Sequence, residues 1–158
     1  MNALHESLAA ALGSDPVASS MIGGGCIHDT RCVNLADGRR VFLKSGTGTK
    51  ADLLESEARS LRLLTPQIHV PRVIAEDTLA DGSRWLALEW LDLVPLGSNA
   101  WEDLGHQLSR LHSTTTQRHG LDHDNYIGSA PQSNRMTDTW LDFYQECRLR
   151  PQIRMACS

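Results

Sequence analysis

The chain has 158 residues, 41% of them hydrophobic and 22% charged, with a formal net charge of −4. That length can bury a proper core, and the composition is not that of a disordered chain. The acidic balance argues against a general nucleic-acid binder, which carries a basic patch or stripe. No basic n-region or long apolar run opens the chain, so neither a signal peptide nor a membrane span is expected and the reading is cytoplasmic.

Taken in chain order, Leu4, Leu8 and Leu12 recur at helical spacing and Gly13 stops them, which predicts a short amphipathic helix. A short strand from Val17 to Ile22 then runs into Gly23, Gly24 and Gly25, followed by Cys26. Three residues without Cβ let the backbone approach a ligand and aim its N–H groups at an anion. Ala36-Asp37-Gly38 carries the Asp-Gly signal of a two-residue hairpin. In the strand that follows, Val41 and Leu43 share one face and Phe42 and Lys44 the other, so one face is core and the other carries a cation toward a cleft. A glycine turn, a hairpin and a strand-end lysine form the pattern of the nucleotide-binding half of a protein-kinase-like fold, where the lysine pairs with phosphates and a helix glutamate. Glycine-rich hairpins also occur in proteins that bind nothing, so the next helix matters.

That helix is predicted over residues 51–64. At about 100° per residue, Leu53, Leu54, Ala58, Leu61 and Leu64 share an arc, and Glu57 falls inside it. Glu55 falls outside, four residues from Arg59, as an ordinary surface pair. A carboxylate on a core-facing arc is costly unless paired, and Lys44 is the nearest expected cation; a solvated position at the rim is the alternative. Val70-Pro71-Arg72-Val73-Ile74 begins the next strand, and Asp81-Gly82 turns it into a last strand over 84–91. The fold class is therefore α+β: a five-stranded antiparallel sheet with one inserted helix, over residues 1–92. Residues 93–98 read as a hinge. In a kinase-like fold that hinge's backbone reads adenine, which makes Glu89, Trp90 and Leu91 nucleotide-binding candidates beside the glycines, Cys26, Lys44 and Glu57; Trp90 reads equally well as core.

From Asn99, taken as a cap, Trp101, Leu104, Leu108 and Leu111 form a helical stripe with His112 at its edge. Residues 113–136 show no clear period and are too long for a mere connection. Histidines and aspartates crowd this segment, but their spacing fits no closed zinc set, so no metal site is predicted. The four cysteines, Cys26, Cys32, Cys147 and Cys157, contain no Cys-x-x-Cys pair and are read as free thiols. A last helix is expected from Thr137 to Leu149, with Trp140, Phe143, Tyr144 and Cys147 on one face.

Gly-Gly-Gly-Cys-Ile at 23–27, Phe-Leu-Lys at 42–44, Val-Pro-Arg-Val-Ile at 70–74 and Leu-Glu-Trp-Leu at 88–91 together resemble the fructosamine kinase (ketosamine kinase) family. The most particular match is His123-Asp124-Asn125-Tyr126-Ile127-Gly128 through Pro131-Gln132-Ser133-Asn134 to Trp140, Phe143, Arg148 and Gln152. The resemblance implies a protein-kinase-like fold and ATP-dependent phosphorylation of a sugar hydroxyl on ketosamines, including glycated proteins, with Mg²⁺ assisting. It also implies a substrate role for Asp124, Asn125 and Tyr126. The family's His-Gly-Asp catalytic loop and its metal-binding aspartate have no counterpart in these residues, so no catalytic residue is assigned. Residues 99–158 read as the incomplete start of a helical second lobe. A non-catalytic nucleotide-binding fragment, or a relative of aminoglycoside and choline kinases, are the alternatives. The resemblance further suggests that Cys26 beside the phosphates is a reactive thiol, with self-association through it or through an exposed lobe face bearing Trp101, Trp140 and Phe143.

Overall fold

The leucine repeat near the start forms helix α1 (Ala3–Leu12), which Gly13 ends in left-handed backbone at φ 66°. In the computed structural model, which describes residues 3–23, 27–95 and 97–157, five antiparallel strands follow: β1 (Pro16–Met21), β2 (Asp29–Leu35), β3 (Arg40–Gly46), β4 (Val73–Thr78) and β5 (Arg84–Glu89). Helix α2 (Thr49–Leu64) is inserted between β3 and β4, and the sheet order β1-β2-β3-β5-β4 leaves β3 at the centre.

Both faces of this sheet are covered, and strand alternation decides which residue goes where. Val33, Leu35, Val41, Leu43, Trp85 and Ala87 pack with Leu8 and Leu12 of α1. On the opposite face Leu86 and Leu88 pack with Leu54 and Ala58 of α2, with Phe42 and Val73 at the margin. Charged links also tie α2 to the sheet. Glu55 takes a hydrogen bond from Arg59, as its spacing predicts, and a second at 2.5 Å from Arg84 of β5; Arg62 reaches Glu76 of β4 at 2.6 Å. Arg84's hydrogen bond holds the Glu55 carboxyl below the usual carboxylate range. A group whose folded pKa is depressed stabilises the fold fully above its unfolded value, about 4.3, and loses that contribution as pH falls through the lowered one. Glu55→Gln is therefore expected to lower the melting temperature on the neutral plateau and to change it little at pH values below the lowered pKa, so that the acid side of the curve is flatter.

Several expectations need correction. The Asp-Gly turn between β2 and β3 is not a two-residue hairpin. Leu35 donates its N–H to the Arg39 carbonyl and Gly38 to that of Leu35, so the loop is the three residues Ala36-Asp37-Gly38 with Gly38 at φ 86°. A two-residue type I′ turn would need positive φ at both Asp37 and Gly38, and no described non-glycine residue has it. The fourth strand starts at Val73, not Val70, and the fifth ends at Glu89, not Leu91. Helix α3 (Ser98–His112) opens before Asn99, which lies in its first turn instead of capping it.

The chain divides into two compact units, Met1–Leu111 and His112–Ser158. In the second unit the segment expected to be irregular contains a small hairpin, β6 (Asn125–Ile127) and β7 (Ala130–Gln132), turned by Gly128 at φ 60°. Helix α4 (Trp140–Tyr144) starts three residues later than expected, because Thr139 caps it by accepting the Asp142 N–H, while Thr137 bridges to His119. A π-helical turn (Gln145–Leu149) then leads into α5 (Arg150–Ala156). Pro151 has no N–H to offer the Cys147 carbonyl four residues back, and Arg148 donates to that carbonyl instead at 2.8 Å. Phe143 is only 6% exposed, so it belongs to the interior of this unit and not to an exposed face; Trp140, at 58%, is exposed as expected.

Candidate functional site

Strand β3 places Phe42 and Lys44 on the face it turns toward α2. Helix α2 brings Glu57 to the same place, and Lys44 Nζ donates to Glu57 Oε2 at 2.5 Å. Both side chains are largely shielded, 18% and 30% exposed. A half-buried pair of this kind fixes the ammonium's direction more than it stabilises the fold, since desolvation offsets much of the attraction. Glu57 also lines a cleft of about 580 Å³ whose other walls include Ile22, Phe42, Leu88 and the run Glu89, Trp90, Leu91, Asp92 and Leu93. Phe42 and Leu88 pair across the β3/β5 ladder. They give the cleft a flat apolar floor, and the ion pair contributes its charged edge.

The rim is held by its own contacts. Arg72 donates to the Glu89 carboxylate, and this hydrogen bond keeps that carboxyl below its ordinary range. Glu89 donates its own N–H to the Arg72 carbonyl. Trp90 Nε1 donates to Asp92, which also accepts from Arg40, and the Arg40 guanidinium lies 5.2 Å from the Trp90 ring centre. The side chains of Glu89 and Trp90 are thus occupied by neighbours.

Of the predicted nucleotide-binding residues, Glu57, Glu89, Trp90 and Leu91 meet at this cleft, with Lys44 joined through Glu57. Gly23 follows directly on Ile22, which contributes to the wall. Gly24, Gly25 and Cys26 lie outside the described residues, while Cys32, Cys147 and Cys157 are free thiols. The sequence reading missed Phe42, Leu88, Pro71, Asp92 and Leu93. Phe42 carried a signal, since it shares a strand face with Lys44.

Asp124, Asn125 and Tyr126 lie in the second unit, on and beside β6. Asp124 Oδ1 accepts the backbone N–H of Asn134 at 2.7 Å, and Asn134, 1% exposed, donates to the His123 carbonyl and accepts from Arg148 at 2.6 Å. The Asp124 carboxylate therefore braces the hairpin. Two polar atoms there, His123 Nε2 and Asn125 Oδ1, are buried without a partner among the described residues. Among those residues no three His, Cys, Asp or Glu side chains converge as a metal site, and no helix is long and apolar enough to cross a membrane.

The five-stranded antiparallel sheet, its inserted helix and the strand-to-helix Lys–Glu pair beside a cleft define the small lobe of the protein-kinase-like fold. Comparison with known proteins agrees. The family model for fructosamine kinase matches residues 1–158, and the chain belongs to that family. It is 35% identical over 139 residues to a "Probable ketoamine kinase" of Synechocystis sp., a match covering 85% of this chain and 46% of the relative. It is 30% identical over 169 residues to the "Protein-ribulosamine 3-kinase, chloroplastic" of Oryza sativa subsp. japonica, covering 94% and 48%. A solved structure from Thermobifida fusca, described as a "putative fructosamine-3-kinase", superposes with a TM-score of 0.82 at 30% identity over 99% of this chain and 55% of that one. The chain thus spans about half the length of the curated relatives it matches.

Proposed function

We propose that this chain is the ATP-binding portion of a kinase that phosphorylates a sugar hydroxyl of ketosamines, free or protein-bound. The observation that carries this reading is the Lys44–Glu57 pair at the edge of a cleft floored by Phe42 and Leu88. Adenine fits an apolar slot of this size, with the backbone of Glu89 to Leu91 reading its edge. Lys44, held by Glu57, would meet the phosphates. Mg²⁺, when bound with ATP, would offset charge on the phosphates.

The acceptor sugar is assigned to the hairpin of Asp124, Asn125 and Tyr126. The family membership supports that assignment. The orphaned Asn125 Oδ1 adds to it, because a buried acceptor without a partner costs about 1–3 kcal/mol unless water or a ligand hydroxyl satisfies it.

Phosphoryl transfer depends on positioning and on metal-held charge, and these 158 residues contain no His-Gly-Asp segment. The chain by itself is therefore expected to bind ATP without transferring its γ-phosphate. Calorimetric titration with ATP, followed by mass spectrometry of a fructosyl-amine incubated with chain and MgATP, tests both halves. Saturable binding with unmodified substrate is the expected result. Phosphorylated product above a no-enzyme control would overturn the second half, and absence of binding the first.

A further inference from the structure

Residue 46 is the last of β3, and its neighbours are unusual. Strand alternation puts Phe42, Lys44 and Gly46 on the face that meets α2. A Cβ added at Gly46 would lie 2.6 Å from the Lys50 Cβ and 3.3 Å from Cδ2 of His28. The β2/β3 register pairs Thr30 with Lys44 and Asp29 with Ser45. Continuing it by one residue sets His28 opposite Gly46, on the same face, because directly opposed residues of an antiparallel pair point the same way. Lys50 packs into the space that glycine leaves, the imidazole borders it, and Nε2 lies 2.9 Å from the Lys50 carbonyl in the first turn of α2. Lys50 and Glu57 are seven residues apart, two helical turns, and so share one side of α2.

On the strand side, His28 follows the chain segment 23–27 that carries the three glycines. Two hydrogen bonds close the base of that segment: Ile22 N–H to the Thr30 carbonyl and Thr30 Oγ1 to the Ile22 carbonyl. His28 adds a third anchor, which leads to the helix that carries Glu57.

We infer that His28, seated beside Gly46 and donating to the Lys50 carbonyl, is a positioning residue that couples the entry of β2 to α2 and so to the Lys44–Glu57 pair. The inference rests on the proposed ATP site and assigns it a further part. Its role is to hold the first turn of α2, and with that helix Glu57, in register with the strand that carries the lysine. Adenine, which meets the floor and rim instead, is indifferent to it. Glutamine can still donate from a comparable reach, whereas alanine cannot, and a Cβ in Gly46→Ala would collide with Lys50 at 2.6 Å and push the first turn of α2 away from the strand that faces His28.

The test uses the 158-residue chain with His28→Ala, His28→Gln and Gly46→Ala, titrated with ATP and with adenosine. A hydrogen bond of this kind corresponds to about 3- to 10-fold in affinity. His28→Ala and Gly46→Ala are expected to weaken ATP by that factor, to leave adenosine within about 2-fold, and His28→Gln to restore most of the loss. Equal losses for ATP and adenosine, or no rescue by glutamine, would overturn a positioning role. Hydrogen exchange of the nucleotide-free chain separates this inference from the ATP reading. Faster exchange in the first turn of α2 in His28→Ala, with the β3 and β5 amides unchanged, supports the coupling even if the parent chain binds no ATP; unchanged exchange there overturns it.

Discussion

Lys44→Met is expected to weaken ATP binding roughly 10- to 100-fold, the range corresponding to a lost charge-assisted hydrogen bond, while adenosine affinity stays within about 2-fold. The asymmetry follows from the proposed site: Phe42, Leu88 and the 89–93 rim line the cleft and would meet the nucleobase, whereas the phosphates would meet the ammonium. Glu57→Gln is expected to have a smaller effect, about 3- to 10-fold, because the amide can still accept from Nζ at the 2.5 Å contact without holding a charge there. In the double variant the two losses should not add, since the residues act through one another. Calorimetric titration of the four proteins with ATP and adenosine closes this cycle. Wild-type ATP affinity in Lys44→Met would make the pair a purely structural strut.

Trp85→Ala is expected to cost about 3–5 kcal/mol, the usual range for removing a buried aromatic ring and leaving its cavity. Trp85 is fully buried among Leu8, Leu12, Leu43 and Ala87. Its Nε1 also donates to Ser7 Oγ at 2.9 Å, and Ser7 in turn donates to Asp77 at 2.6 Å. One side chain therefore links α1, β4 and β5. Against a typical domain stability of about 5–15 kcal/mol, the loss should leave much of the population unfolded under mild denaturant. Trp85→Phe keeps most of the volume and forfeits the hydrogen bond, so a cost near 1–2 kcal/mol is expected. Urea unfolding followed by circular dichroism distinguishes the two; equal midpoints for alanine and parent would mean that the α1 face contributes little to the fold.

Local patterning alone located the ion pair. Alternation along 41–44 sets Lys44 opposite the Val41–Leu43 face, and the 100° arc of 51–64 puts Glu57 among leucines, so a cation and a carboxylate are each aimed at one interface by local pattern. Both signals have short range, which is why they survive in the sequence. The floor residue Leu88 was not legible as such, since an apolar residue on a central strand looks the same whether a helix or a nucleotide covers it. Its register opposite Phe42 is a cross-strand fact.

The second unit shows the opposite balance. Residues 113–136 lack any period because their order comes from single side chains that reach across the unit: Asp124 to the Asn134 backbone, Asn134 to His123, and Arg148 to Asn134 and the Ser133 carbonyl. Such bonds span 10 to 15 positions, and no window of local sequence contains both ends. The helix boundaries moved for a related reason, since Thr139 and not Thr137 caps α4 and Pro151 is carried by a π-helical turn that Arg148 helps satisfy.

The sequence by itself determined the element order through the fifth strand, the sheet with its inserted helix, the Lys44–Glu57 pairing and, through its particular motifs, the family. Each depends on periodicity or on contiguous residues. Only the tertiary structure decided the three-residue form of the Asp-Gly turn, the burial of Phe143, the cleft's apolar floor and the fit of His28 beside Gly46. Those depend on register between strands and on the absence of a Cβ at one crowded point, which become specific only when distant segments are brought into contact.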